Sequence, residues 1–137
     1  MTVTITRRLE IDAGHRLQNH ESKCRHTHGH RYGFSVTCTA PELDKIGRVI
    51  DFSVIKKDLG GWLDDKWDHA FIFEKGDPIE SFLRAHDQRR YELDCAPTAE
   101  NIAQHFLLVA RRLMHKHGIE VVKVVVMETP NCFAEAT

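Results

Sequence analysis

Two stretches in the first forty residues alternate with period two, and no other feature constrains the fold as much. Between 3 and 13 the odd positions carry Val3, Ile5, Leu9, Ile11 and Ala13, and the even ones carry Thr4, Thr6, Arg8, Glu10 and Asp12; Arg7 is the exception. Between 28 and 40 the even positions are apolar (Tyr32, Phe34, Val36, Cys38), and the odd ones are polar or small (Arg31, Gly33, Ser35, Thr37, Thr39). Successive side chains of a strand point to opposite faces, so each stretch reads as a strand with one buried face. A one-residue slip would turn every apolar side chain to solvent, so the pattern also sets the register.

The same parity extends into the histidines. The chain has 10 of them, and His15, His20, His26, His28 and His30 fall within one short stretch. His15 keeps the apolar parity of the first strand, and His28 and His30 share that of the second. Three imidazoles are thus expected at the ends of the inward faces of two neighbouring strands. One metal ion can satisfy all three. Three neutral imidazoles leave a coordination position for water or substrate, as in catalytic zinc sites. The alternative is hydrogen-bonded structural histidines, and His20 and His26 stay as further candidate ligands. Cys24, four residues before His28, reads as a fourth ligand, a reactive thiol favoured by a nearby cation, or an inert small residue.

The rest of the chain supplies the cover. Pro41-Glu42-Leu43-Asp44 reads as a turn, and 47–52 as a short extended piece. Ser53 is the expected N-cap of a helix over 54–66 with the stripe Ile55, Leu59, Trp62, Leu63. A short helix near 78–86 and a short strand near 90–94 have weaker signals. The clearest helix is 99–117, opened by Pro97-Thr98 and striped with Ile102, Phe106, Val109, Ala110 and Leu113. A β-branched run from Val121 to Met127 and a final piece from Cys132 to Ala136 close the chain as strands. The order ββααββ predicts an α+β domain over 1–137, a four-stranded antiparallel sheet with two helices on one face.

Two carboxylates accompany the histidines. Asp68 adjoins His69 and can orient it for proton transfer. Glu128 shares the parity of Val122, Val124 and Val126, and at the end of an apolar strand face it suits a planar ligand with two N–H donors. A surface glutamate at a strand exit is the plainer reading.

Charge and composition exclude other classes. Nineteen Lys and Arg against 20 Asp and Glu leave a net charge of −1, without the basic excess of a nucleic-acid binder. No apolar run approaches the ~20 residues of a membrane span, and Met1-Thr2-Val3-Thr4-Ile5 does not begin a secretory signal. The four cysteines are scattered, as expected for reduced thiols in the cytoplasm.

Several blocks together resemble one family. Ile11-Asp12-Ala13-Gly14-His15-Arg16-Leu17 resembles the F-x-A-A-H-x-L segment of the 6-pyruvoyltetrahydropterin synthase and 6-carboxytetrahydropterin synthase family. The stretch from Cys24 through His28-Gly29-His30-Arg31-Tyr32 resembles its C-x3-H-G-H-x-Y segment. Residues 47–52, Trp67-Asp68-His69-Ala70, 97–101 and Glu128-Thr129 match further blocks in order. Ile11 and Gly14 replace the family's usual Phe and Ala, and Trp67 stands where Leu is common. The three-residue gap between Cys24 and His28 resembles the 6-carboxytetrahydropterin synthase (QueD-type) branch; pyruvoyl synthases usually have a longer one.

The resemblance implies the tunnelling fold, in which small sheets join into an oligomeric barrel, a trimer or a hexamer of two trimers. It implies zinc on His15, His28 and His30, catalysis by Cys24 with Asp68 and His69 from a neighbouring subunit, and a pterin anchored by Glu128. The implied reaction converts 7,8-dihydroneopterin triphosphate to 6-carboxytetrahydropterin, acetaldehyde and triphosphate in queuosine biosynthesis. Lys23, Arg25 and Arg31 are near enough in sequence to favour the triphosphate, though a solvated face fits them equally. The alternatives are a 6-pyruvoyltetrahydropterin product and a non-catalytic zinc-stapled module with Cys24 as fourth ligand.

Overall fold

A computed structural model describes all residues, 1–137. The alternating stretches form β1 (Thr4–His15) and β2 (His28–Thr39), paired antiparallel without a break from Thr4↔Thr39 to His15↔His28. Leu9, Ile11, Ala13 and His15 are buried on β1 while Glu10 and Asp12 are exposed, as the parity requires. β5 (Glu120–Thr129) pairs with the far side of β2, and β6 (Cys132–Ala136) with β5, both antiparallel.

These are the four antiparallel strands read from the sequence, and the α+β class stands. Two further strands extend the sheet beyond β1, one of them the short strand expected near 90–94 and the other unforeseen. β3 (Phe71–Glu74) runs parallel to β1 through Gly14↔Phe71 and His15↔Ile72, and β4 (Arg90–Leu93) runs parallel to β3, giving the order β4-β3-β1-β2-β5-β6. Parallel strands need a crossover of a dozen or so residues, and 75–89, with the helix Ile79–Ala85 (α3), supplies it.

The short extended piece expected at 47–52 is a turn and a helix start instead. The Asp44 carboxylate accepts the backbone N–H groups of Ile46 and Arg48, and Gly47 takes φ +90°, so the chain bends back. Asp51, not Ser53, is the N-cap. Its carboxylate accepts the Ser53 N–H at 2.8 Å, so the helix already begins at Phe52.

That helix runs as α1 (Phe52–Ile55), a π-helical turn (Lys56–Gly60) and α2 (Gly61–Lys66). The wider turn has a cause in the sequence. Ile55, Leu59, Leu63 and Trp67 are all fully buried, four residues apart. At 3.6 residues per turn each such step over-rotates by about 40°, so a regular helix would turn the last of them off the core. One wider turn absorbs the drift and keeps the four on a single stripe. Trp67 then packs among Phe34, Trp62, Tyr91, His105 and Phe106, and where it sits sets where Asp68 and His69 emerge.

The long helix α4 (Ala99–Met114) ends in a tighter turn, His115–His117, before left-handed Gly118. It lays Ile102, Phe106, Val109 and Ala110 over β5 and β6, with Phe106 against Phe34 at 4.9 Å. No helix is long and apolar enough to cross a membrane. All four cysteines are free thiols.

Candidate metal and substrate site

The β1–β2 register decides which imidazoles meet. His15 lies opposite His28, and Ala13 opposite His30, on the face covered by the helices. The ring centroids of His15 stand 4.6 Å from His28 and 5.1 Å from His30, and one ring nitrogen of each of the three lies within 4.8 Å of the others. His20 and His26 are not in this group: His20 Nδ1 accepts the Ser22 N–H, and His26 is exposed.

Two of the three rings are oriented by main-chain carbonyls. His15 Nδ1 donates to the Pro97 carbonyl at 2.7 Å, and His28 Nδ1 donates to the His26 carbonyl at 2.7 Å. A carbonyl only accepts, so each Nδ1 carries the proton and each Nε2 presents a lone pair. Burial holds His15 and His30 below the ordinary imidazole range, which keeps both rings neutral.

Glu128 closes the site from β5. A register shift at Thr37/Cys38 changes which β5 positions face inward. Val121, Val124 and Val126 are therefore buried, and Val122, grouped with Glu128 by simple parity, is not. Glu128 keeps the face of Val124 and Val126. Its Oε1 lies 3.4 Å from His15 Nε2 and 3.6 Å from His30 Nε2. Both Nε2 atoms are buried without a hydrogen-bond partner.

The Glu128 carboxylate oxygen, the His15 lone pair and the unpartnered His30 Nε2 thus converge with no hydrogen bond closing the group. Such a pocket is completed by a cation, by N–H donors of a ligand, or by both. The donor set, imidazole nitrogens of which His15 and His28 have second-side hydrogen bonds to carbonyls, suits zinc among other divalent metals. The cluster can hold a metal ion.

The remaining expected residues stand apart from the cluster. Cys24 lies in a short 3₁₀ turn (Lys23–Arg25) held to the end of β1 by the Leu17 N–H, which donates to the Cys24 carbonyl at 2.8 Å. Its thiol is not among the gathered ligand atoms, so the group has three members rather than four.

Asp68 and His69 sit along the edge of β1. Asp68 Oδ1 accepts the Asp12 N–H at 3.1 Å, and its Oδ2 lies 3.1 Å from His69 Nδ1. His69 donates its N–H to the Asp12 carbonyl and takes φ +57°, a left-handed backbone that aims its ring into solvent, 71% exposed. Arg31 pairs with Glu10 and Asp12 on the exposed outer face.

Sequence reasoning missed Tyr32 and Pro97 as neighbours of the site. Tyr32 is buried beside His15 and His30 with its hydroxyl unpartnered, and burial pushes that phenol well up. Its place two residues after His30 on the same strand face was the available signal. Pro97 makes its contact through a backbone carbonyl, which no side-chain pattern reveals.

Known proteins share this chain's sequence pattern and fold. The family model described as 6-pyruvoyl tetrahydropterin synthase matches residues 4–137. A Rickettsia bellii protein named 6-carboxy-5,6,7,8-tetrahydropterin synthase is 41% identical over 136 residues, covering 97% of this chain and 99% of that one. A Haemophilus influenzae protein of the same name is 31% identical, with 96% of both chains covered. Among solved structures, an uncharacterised Wolinella succinogenes protein superposes with a TM-score of 0.86 at 23% identity, over 99% of this chain and 98% of that one. The Caenorhabditis elegans 6-pyruvoyl tetrahydropterin synthase does so at 0.73 and 23%, over 100% and 96%.

Proposed function

The chain belongs to the 6-pyruvoyl tetrahydropterin synthase family, and on that footing we propose that it is a zinc-dependent 6-carboxy-5,6,7,8-tetrahydropterin synthase. The substrate would be 7,8-dihydroneopterin triphosphate. With uptake of water it would give 6-carboxytetrahydropterin, acetaldehyde and triphosphate, a carbon–carbon lyase reaction of queuosine biosynthesis. The observation that carries the reading is the convergence of Glu128 Oε1 with the orphaned Nε2 atoms of His15 and His30. It makes a pocket that wants both a cation and a pair of N–H donors, and a side chain bearing hydroxyls on a pterin offers ligands for both.

His15, His28 and His30 would hold the zinc, which when bound supplies Lewis-acid stabilisation of negative charge on the substrate's side-chain oxygens. Glu128 grips the amino and ring N–H donors of the pterin, a charge-assisted pair that sets its orientation. Cys24 and His69 move protons at the side-chain carbons, and Asp68 holds His69 Nδ1 so that Nε2 is the exchanging atom.

Within one chain the Asp68–His69 pair is turned outward, so we assign it to the Cys24 site of a neighbouring copy. A homo-oligomer, a trimer or a hexamer, follows. The two outermost strands, β4 and β6, are the edges such an assembly would cover. Four free thiols suit a cytoplasmic enzyme.

The carboxy product is favoured over the pyruvoyl one by the names of the similar proteins and by the short gap between Cys24 and His28. The zinc-stapled module loses its fourth ligand, since the thiol of Cys24 stands outside the cluster. The test is incubation of the purified protein with 7,8-dihydroneopterin triphosphate and product identification by mass. 6-Carboxytetrahydropterin with acetaldehyde is expected; a 6-pyruvoyl product moves the protein to the other branch. An active species of about 16 kDa by light scattering overturns the shared-site assignment.

A further inference from the structure

The ring of His15 is oriented from 82 residues away, by a carbonyl at the entrance to α4. That carbonyl belongs to Pro97, which has no N–H of its own with which to anchor its peptide. Its position is held by its neighbours. Asn101 donates through its side-chain amide to the Ala96 carbonyl at 2.9 Å, and the Thr98 N–H donates to the same carbonyl at 2.8 Å. The Thr98 hydroxyl accepts the Asn101 N–H at 3.1 Å, closing the N-cap of α4. Asn101 therefore makes two bonds across one turn, one to the helix cap and one past it, and Pro97 is clasped between their anchor points.

At this helix position a Glu or Gln usually reaches back to the N–H of the cap residue. Here the side chain is shorter and reaches a carbonyl further out, so it serves the loop and not the helix. Its amide adds nothing to the helix that the Thr98 hydroxyl does not already supply.

We infer that Asn101 is a positioning residue for the metal site: its amide donor fixes the Ala96–Thr98 turn, which fixes the Pro97 carbonyl, which fixes the tautomer and aim of His15. The inference rests on the metal-site reading above. Outer partners of metal-bound histidines are worth about 10–100-fold in affinity when removed, and Asn101 acts one link further out, so about tenfold is expected.

The discriminating variant is Asn101→Asp, which keeps the size and removes the donor. A carboxylate in the first turn of α4 is favourable to the helix, so general destabilisation and lost positioning have opposite signs. Zinc affinity is read by competition with a chromogenic chelator, and the melting temperature is read on the metal-free protein. Asn101→Asp should bind zinc about tenfold more weakly with an almost unchanged metal-free melting temperature, and Asn101→Ala should share the affinity loss. Affinity within twofold of wild type in both variants overturns the inference while leaving the metal site intact, and so does an affinity loss matched by a lower metal-free melting temperature in Asn101→Asp. Wild-type protein that takes up no zinc, or takes it up equally well after His28→Ala, overturns the metal-site reading and this inference with it.

Discussion

The two histidine–carboxylate groupings of this chain differ in almost every physical respect. His15, His28 and His30 face Glu128 in a pocket where His15 is 1% exposed and two ring nitrogens have no partner. Asp68 and His69 meet at a similar distance, 3.1 Å, but the imidazole is 71% exposed and its backbone is left-handed. Both are built on β1, one on its covered face and the other along its edge. The buried grouping is complete in one chain and lacks only what it would bind. The exposed one is rigidly presented and has no neighbour to act upon. Its outward placement fits the proposal above, in which it serves the Cys24 site of a second copy.

That contrast is broken or sharpened by substitutions on each side. The largest effect is expected at His28→Ala, which should remove most of the bound metal and with it turnover. His105→Ala should leave metal content alone, because His105 belongs to the aromatic cluster and accepts or donates only to the Tyr91 hydroxyl at 2.9 Å. Metal analysis of the two purified variants checks this.

Next come Cys24→Ala and His69→Ala. Each should keep its metal and lose roughly 10²–10⁴ in turnover, the usual worth of a positioned acid or base. The double variant should lose little more than either, because both serve the same proton transfers. Rate and metal content measured side by side decide it; loss of metal in Cys24→Ala would make the thiol a ligand after all.

Glu128→Gln should act mainly on binding. Hydrogen bonds to a charged group are worth about 1.5–3 kcal/mol, so pterin affinity should fall about 10–100-fold, read by direct titration. The smallest effect is on pH. Burial lowers the folded pKa of His15 and His30 below 6.5, so protons compete for the lone pairs only under more acidic conditions than for a free imidazole. Metal uptake should persist as pH falls through 6.5 and fail below it. Loss of metal already above pH 6.5 would contradict the lowered titration of these rings.

The buried grouping was legible in the sequence because strand parity is a long-range ruler. Once β1 and β2 are accepted, His15, His28 and His30 have nowhere else to point. Glu128 came through the same rule, although a bulge had already moved Val122 off the face it shares in simple alternation. β3 was illegible because Phe71-Ile72-Phe73 is a short apolar run without alternation, whereas the equally short Arg90-Tyr91-Glu92-Leu93 alternates and was read. The N-cap was misread by two residues because Asp51 and Ser53 are both good caps, and only the bond to the Ser53 N–H distinguishes them. Pro97 was invisible for a different reason: its contribution is a carbonyl, which every residue has.

The π-helical turn at Lys56–Gly60 makes chain length, more than residue identity, the controlled variable between Phe52 and Trp67. Lys56, Lys57 and Gly61 are exposed, and exchanging them for other helix formers should be nearly silent. Removing one residue from that turn lets it close to a regular α-helix, which leaves Trp67 only about 20° from its present direction. Adding one is a different event. The wide turn is already used, so everything downstream would rotate by about 100° and advance by about 1.5 Å, and Trp67 would leave its aromatic seat. The Asp68–His69 pair, which follows Trp67 directly, would be carried round with it. In lineages of this chain, insertions in that helix should therefore be rarer than deletions, because their cost falls on a histidine well outside the segment.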